Sequence, residues 1–221
     1  MEPAGRLFAA SLGLLAVLVL SLGFILPPLV YRGRDNERYA LRNHYVSELG
    51  EVGISRLALV YNGSLVVAGL GIAACTAAFF VELLDGWAGA AGAAAGAVAG
   101  ACLTLTGFFP MNRYQRHIRA ARAFFALVPV NAAFAIVAGV RLAPARPAAA
   151  AALLTVSGLC VAGLLAMTVI VPLAAGRTPG SFHTRVAGTR PRIIPFAITE
   201  WTVTLLAFAW VAVVSGVLLA A

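Results

Sequence analysis

The chain is 221 residues long, 62% apolar and only 11% charged, with 22 glycines and 11 prolines, and its mean hydropathy is +0.94. A water-soluble domain of this size is about 45–50% apolar and about 25% charged, so one interior cannot hide the excess, and the chain reads as an all-α, polytopic integral membrane bundle. The 16 basic residues are all arginine, against 8 acids; they lie in short segments between apolar runs, where lipid headgroups meet them, which excludes nucleic acid as a partner.

A bilayer core about 30 Å thick takes about 20 apolar residues in helix. One domain spanning 1–221 offers six such runs: Leu7 to Val30, Leu57 to Leu84, Trp87 to Phe109, Ala120 to Val140, Ala148 to Leu173 and Phe196 to Ala220. The first has only Arg6 ahead of it and is longer than the apolar core of a signal peptide, so it reads as a retained helix. Ser55 is placed to cap the second helix. That helix carries Tyr61 and Asn62, the latter roughly 10 Å below the membrane face, too deep for its Asn-Gly-Ser triplet to be a glycosylation site. Glu82 and Asp85 mark a tight, solvated turn. In the third helix Gly92, Gly96 and Gly100 permit close helix approach, although so Ala- and Gly-rich a run gives that spacing by chance. Pro129 and Pro172 interrupt the fourth and fifth helices. Asn131, deep beside Pro129, reads as a helix-to-helix hydrogen bond rather than a ligand contact.

The connections differ sharply. Arg32, Arg34, Arg38, Arg42 and Arg56 flank loop one, Arg113, Arg116, Arg119 and Arg122 loop three, and Arg177, Arg185, Arg190 and Arg192 lie in loop five, against Arg6, Arg141 and Arg146 on the other side. The excess of positive charge places the loops at 31–56, 110–120 and 174–195 in the cytoplasm.

Ionisable and amide side chains are costly in a membrane, so each marks a candidate site. They converge on the arginine-rich face: His44, Tyr45 and Glu48 in loop one, Tyr61 and Asn62 below it, Phe108, Asn112, Arg113 and Arg116 at the end of the third helix and beyond, His117 opening the fourth, and Glu200 with Trp201 in the sixth. His44, His117 and His183 lack metal spacing, the histidines suit no haem, and Cys75, Cys102 and Cys160 form no framework, so no metal or cofactor is expected. Ser47 with His117 is a weak nucleophile pair, since no GxSxG elbow is present.

Ser47-Glu48-Leu49-Gly50 after the first helix, Tyr61-Asn62-Gly63-Ser64-Leu65 in the second, Gly107-Phe108-Phe109-Pro110 closing the third, His117 with Phe124-Phe125 in the fourth, and Gly188 to Arg192 followed by Trp201 occur in order along nearly the whole chain. Together they resemble the bacterial and archaeal six-helix membrane family known as domain of unknown function nine-nine-eight. The resemblance implies six helices and carries no activity. The family often has an acid at the place of His44, and the resemblance does not extend to Glu200, so it implies no role for either residue.

Three functions compete. In the first, a membrane enzyme handles a lipid or isoprenoid-like amphiphile, with Glu200 as general acid, Glu48 or His117 as its partner, and Arg113 or Arg116 holding an anionic head. Aromatic neighbours would suit terpene cyclisation. In the second, a lipid-binding or regulatory protein uses the same groups as fastenings, with Glu48 paired to an arginine such as Arg113 or Arg116. A transporter ranks last, because the opposite half of the bilayer is nearly bare of polar groups; a homodimer would be needed to rescue it.

Overall fold

The computed structural model describes residues 1–176 and 190–221. Its long helices are α1 Pro3–Val30, α2 Ala58–Leu83, α3 Gly86–Phe108, α4 Tyr114–Leu142, α5 Pro147–Ala174 and α6 Pro195–Leu219. All six are long and apolar enough to cross a membrane. α4 begins a turn and a half before its apolar run, because Gln115, Arg116, His117 and Arg119 continue the helix into the polar face.

α1 shows how these segments pack. Ala9, Gly13, Ala16, Leu20, Phe24 and Pro27 recur at three- and four-residue spacing and are buried. Leu7, Leu14, Leu18, Leu22, Ile25 and Leu29 cover its other face and stay exposed. Large apolar side chains outside and small ones at the contacts are the arrangement of a bundle whose solvent is lipid, where close packing rather than water exclusion drives association.

Each helix packs on its chain neighbour, and α6 returns to α1, so the six form a closed ring. α2 sits furthest inward, touching α4 and α6 as well as α1 and α3. The α2–α3 seam is the tightest: a Cβ on Gly92 would strike the Phe80 ring, one on Gly96 the Thr76 hydroxyl, and one on Gly100 the carbonyl of Gly69. The glycine spacing expected by chance is therefore a real contact surface. α5 widens into a π-helical stretch at Ala166–Ile170 just before Pro172, whose missing N–H and bulky ring break the regular ladder. α4 runs through Pro129 without a break.

At the sparsely charged end, Glu82 is not simply solvated: it accepts from Arg6 at 2.9 Å. Asp85 is exposed and meets Arg141 at 3.1 Å. Ser55 does not cap α2; the helix starts after Leu57 without a side-chain cap, and the Ser55 hydroxyl is buried with no hydrogen-bond partner.

Candidate functional site: a plugged cavity between the helices

Loop one folds inward at its end. Residues Val46–Gly50 form a 3-10 turn that is buried throughout. Two backbone N–H groups at its start find carboxylates: Tyr45 donates to Glu48 Oε1 and Val46 to Glu200 Oε2, both at 2.9 Å. Glu48 is in turn gripped by both arms of Arg190, at 3.0 and 2.8 Å, and Tyr31 approaches the same carboxylate at 3.4 Å. Arg190 also donates to the Asn43 carbonyl at 2.7 Å, Asn43 to Pro191 at 3.0 Å, and the Ile194 N–H to Arg42 at 2.8 Å. From below, Asn62 donates to Gly50 at 2.9 Å. Asn112 accepts the Val52 N–H at 2.8 Å and returns a bond to its carbonyl at 2.9 Å, acting as a strand partner would. The turn is thus a plug fastened to α2, to the segment after α3 and to the chain leading into α6.

The electrostatics behind the plug follow from burial. His44 lies between the rings of Tyr31 and Tyr39, with its Nε2 unpartnered and 3.7 Å from Glu37 Oε1. Burial lowers its pKa, more than the neighbouring Glu48 carboxylate raises it. Burial, then the negative charge of Glu48, pushes the Tyr31 hydroxyl up; burial, then Glu200, does the same to Tyr39.

Below the plug the helices line a partly open cavity of about 110 Å³, between α4 and α6, which barely touch. On α4 its wall runs from His117 to Asn131, roughly 20 Å at the helical rise per residue. Most of the wall is apolar, from Leu20 and Phe24 of α1 to Phe124, Phe208 and Trp210. Its polar groups stand at two levels. Towards the plug are Glu200, Ser47, Tyr61 and His117; Asn131 is deeper along α4, and the hydroxyls of Thr76, Thr106 and Thr204 also belong to the wall. The Ser47 hydroxyl and the Asn131 amide oxygen are buried without a hydrogen-bond partner. Asn131 donates its amide N–H to Leu127 of its own helix at 2.9 Å and reaches Ala95 of α3 only at 3.4 Å, so the expected helix-to-helix bond accounts for half of the side chain. His117 Nδ1 lies 2.8 Å from the Phe109 carbonyl, which can only accept, so that nitrogen carries the proton. Glu200 makes no ion pair among the described residues.

Of the residues singled out from sequence, Glu200, His117 and Tyr61 meet at the cavity. Glu48, Tyr45, His44, Asn62 and Asn112 belong to the plug and its fastenings. Trp201 donates to the Tyr39 hydroxyl at 3.0 Å and stands edge-on to Phe24. Phe108 is 61% exposed on the outer surface. Arg113 and Arg116 are exposed and line no part of the cavity; Arg116 stacks over Phe109. The partner of Glu48 is Arg190, not Arg113 or Arg116, because the loop-one turn faces the start of α6. No spacing in the chain signals that pairing across 142 residues. Sequence offers Ser47 only as a weak nucleophile; its place in the cavity wall follows from the inward fold of the turn. Arg177, His183, Arg185 and Gly188 lie outside the described residues, and no metal-sized group of His, Cys, Asp or Glu occurs among the described ones.

A ring of six lipid-facing helices around a plugged, mostly apolar cavity defines an integral membrane protein. A family model described as a protein of unknown function (DUF998) matches residues 19–217. The chain belongs to that family. No curated protein and no solved structure matches the chain.

Proposed function

We propose that this protein binds part of a membrane amphiphile, lipid or isoprenoid-like, in the cavity between α4 and α6, with Glu200 meeting its polar group. The observation that carries this reading is that Glu200, Ser47 and Asn131 line one mostly apolar cavity, while the Ser47 hydroxyl and the Asn131 amide oxygen are buried without partners. A buried polar group left unpaired costs about 1–3 kcal/mol, so an arrangement holding several is better explained by a guest than by stability. The arginine-rich face is the cytoplasmic one in this reading, by the excess of positive charge.

Size bounds the guest. An engineered apolar cavity of about 150 Å³ holds benzene, so 110 Å³ takes a ring, a short stretch of chain or a few waters. A whole isoprenoid folded for cyclisation needs more room, which favours binding over terpene cyclisation. Glu200 retains one feature of a general acid, a carboxyl oriented by a backbone N–H on a residue that lines the cavity. Glu48 is not free to assist it, being held by Arg190.

Native mass spectrometry with lipid extraction, on the detergent-purified protein beside Glu200→Gln and Ala207→Phe, tests the proposal; Ala207 lines the cavity. A defined amphiphile retained by the parent and lost when Phe fills the cavity is the expected result. The same bulk phospholipid in all three would return the polar groups to a structural role.

A further inference from the structure

The polar groups of the cavity have one character in common, and it bears on the chemistry of the guest. Among the described residues the wall holds the Glu200 carboxyl and no arginine. Two arginines on the polar face are already engaged, Arg190 with Glu48 and Arg34 with Glu51. The N–H of Trp210 is spent on Ser157 at 3.0 Å. The hydroxyls of Thr76 and Thr106 are spent on carbonyls of their own helices, at 2.7 and 2.8 Å, which leaves only lone pairs to offer. Asn131 likewise donates its N–H to Leu127 and leaves its buried oxygen without a partner. His117 spends its Nδ1 proton on the Phe109 carbonyl. The donors that remain on the wall are the hydroxyls of Ser47, Tyr61 and Thr204, and each of these also accepts.

We infer that the cavity selects an amphiphile whose buried polar group donates hydrogen bonds, an alcohol or an amine, and rejects phosphate and carboxylate heads. This rests on the proposed binding function and refines it. An anionic head would stand beside Glu200 with no positive charge among the described lining residues to offset it, and in neither protonation state does Glu200 supply one. A hydroxyl or ammonium satisfies Glu200 and Ser47 together at the plug. A second donor, from the guest or from water, is matched by the Asn131 oxygen about 14 residues deeper along α4 than His117, roughly 20 Å by the helical rise. The Arg113 and Arg116 side chains, expected from sequence to hold an anionic head, lie outside this compartment.

The test is a single-tail series, 1-decanol, decylamine, decyl phosphate and decanoate. Each is titrated below its micellar concentration into the full-length protein in detergent, and binding is read by native mass spectrometry and by the shift in thermal unfolding. Decanol and decylamine should bind about tenfold or more tighter than the two anions. Ser47→Ala should weaken both by about threefold to tenfold, the equivalent of one hydrogen bond. Glu200→Gln should weaken decylamine more than decanol; Ser47→Ala keeps the test intact if the Glu200 variant does not fold. Phosphate or carboxylate binding as tightly as the alcohol, still sensitive to Ala207→Phe, would overturn the selectivity while leaving a ligand cavity. Failure of every member to bind, with Ala207→Phe without effect, would overturn the cavity as a ligand site and the selectivity with it.

Discussion

The Glu48–Arg190 pair should be the principal fastening of the plug, and Arg190→Ala measures it. The substitution removes two charge-assisted bonds at 3.0 and 2.8 Å and the bond to Asn43 at 2.7 Å. It leaves the Glu48 carboxylate, whose side chain is 8% exposed, with only the Tyr45 N–H and a long contact from Tyr31. Stranding a fully buried charge costs about 3–5 kcal/mol; the Arg190 side chain is 23% exposed, so water can reach the gap and a loss of about 2–3 kcal/mol is expected. At about 2–4 °C per kcal/mol for a chain of this length, thermal unfolding in detergent should fall by about 4–12 °C. Arg190→Lys should recover less than half, since an ammonium cannot grip both oxygens. Glu48→Gln with Arg190→Ala should be less damaging than the sum of the two single changes, because the pair is lost only once. An Arg190→Ala midpoint within about 1 °C of the parent would show that the bidentate pair carries no stability and would refute the plug as a fastened element.

Three other expectations follow from particular contacts. Gly100→Val, pressed against the Gly69 carbonyl and Ala73 on α2, should lower stability by about 2–3 kcal/mol, whereas Gly158→Ala, on an open face of α5 with nothing nearby, should be neutral or stabilising by up to about 1 kcal/mol; equal effects in thermal unfolding would deny the tight α2–α3 seam. Because folding lowers the His44 pKa, the fold favours the neutral ring, so its contribution is complete above the ordinary value near 6.5 and is lost as pH falls below that towards the folded value. Midpoints measured from about pH 7.5 to 5 should drop in the parent and drop less in His44→Gln; Glu37, whose carboxyl is held below its usual range, matters only at lower pH. Cysteines at Asn36 and Asp85, both exposed, should label from opposite compartments, Asn36 from the cytoplasm; labelling of Asp85 from the cytoplasm would invert the proposed orientation.

The spans were legible because a bilayer imposes a length and a polarity on helices that tertiary contacts cannot override. All six apolar runs became helices, and only α4 extends appreciably past its run, at a start where polarity rather than apolarity continues the helix. The polar face was legible as a set of residues but not as a division of labour. Glu48 and Glu200 are both acids on one face, yet one is locked by Arg190 and the other faces the cavity, a difference decided by how a five-residue turn folds inward. Phe108 and Trp201 show the same limit, one turned to the outside and the other tied to Tyr39, because periodicity in a nearly all-apolar helix does not distinguish the lipid side from the inside. The α2–α3 seam went the other way: the glycines were in view, and only their neighbours showed that the spacing mattered.

The most direct test of the account is an experimental structure of the protein purified gently into lipid nanodiscs, inspected between α4 and α6. The account predicts density that is neither protein nor bulk lipid in the cavity, ending within hydrogen-bond distance of Glu200 and Ser47 beneath an intact Glu48–Arg190 pair. An empty cavity, or one closed by α4 packing onto α6 with the Ser47 hydroxyl and the Asn131 oxygen satisfied by protein, would contradict it.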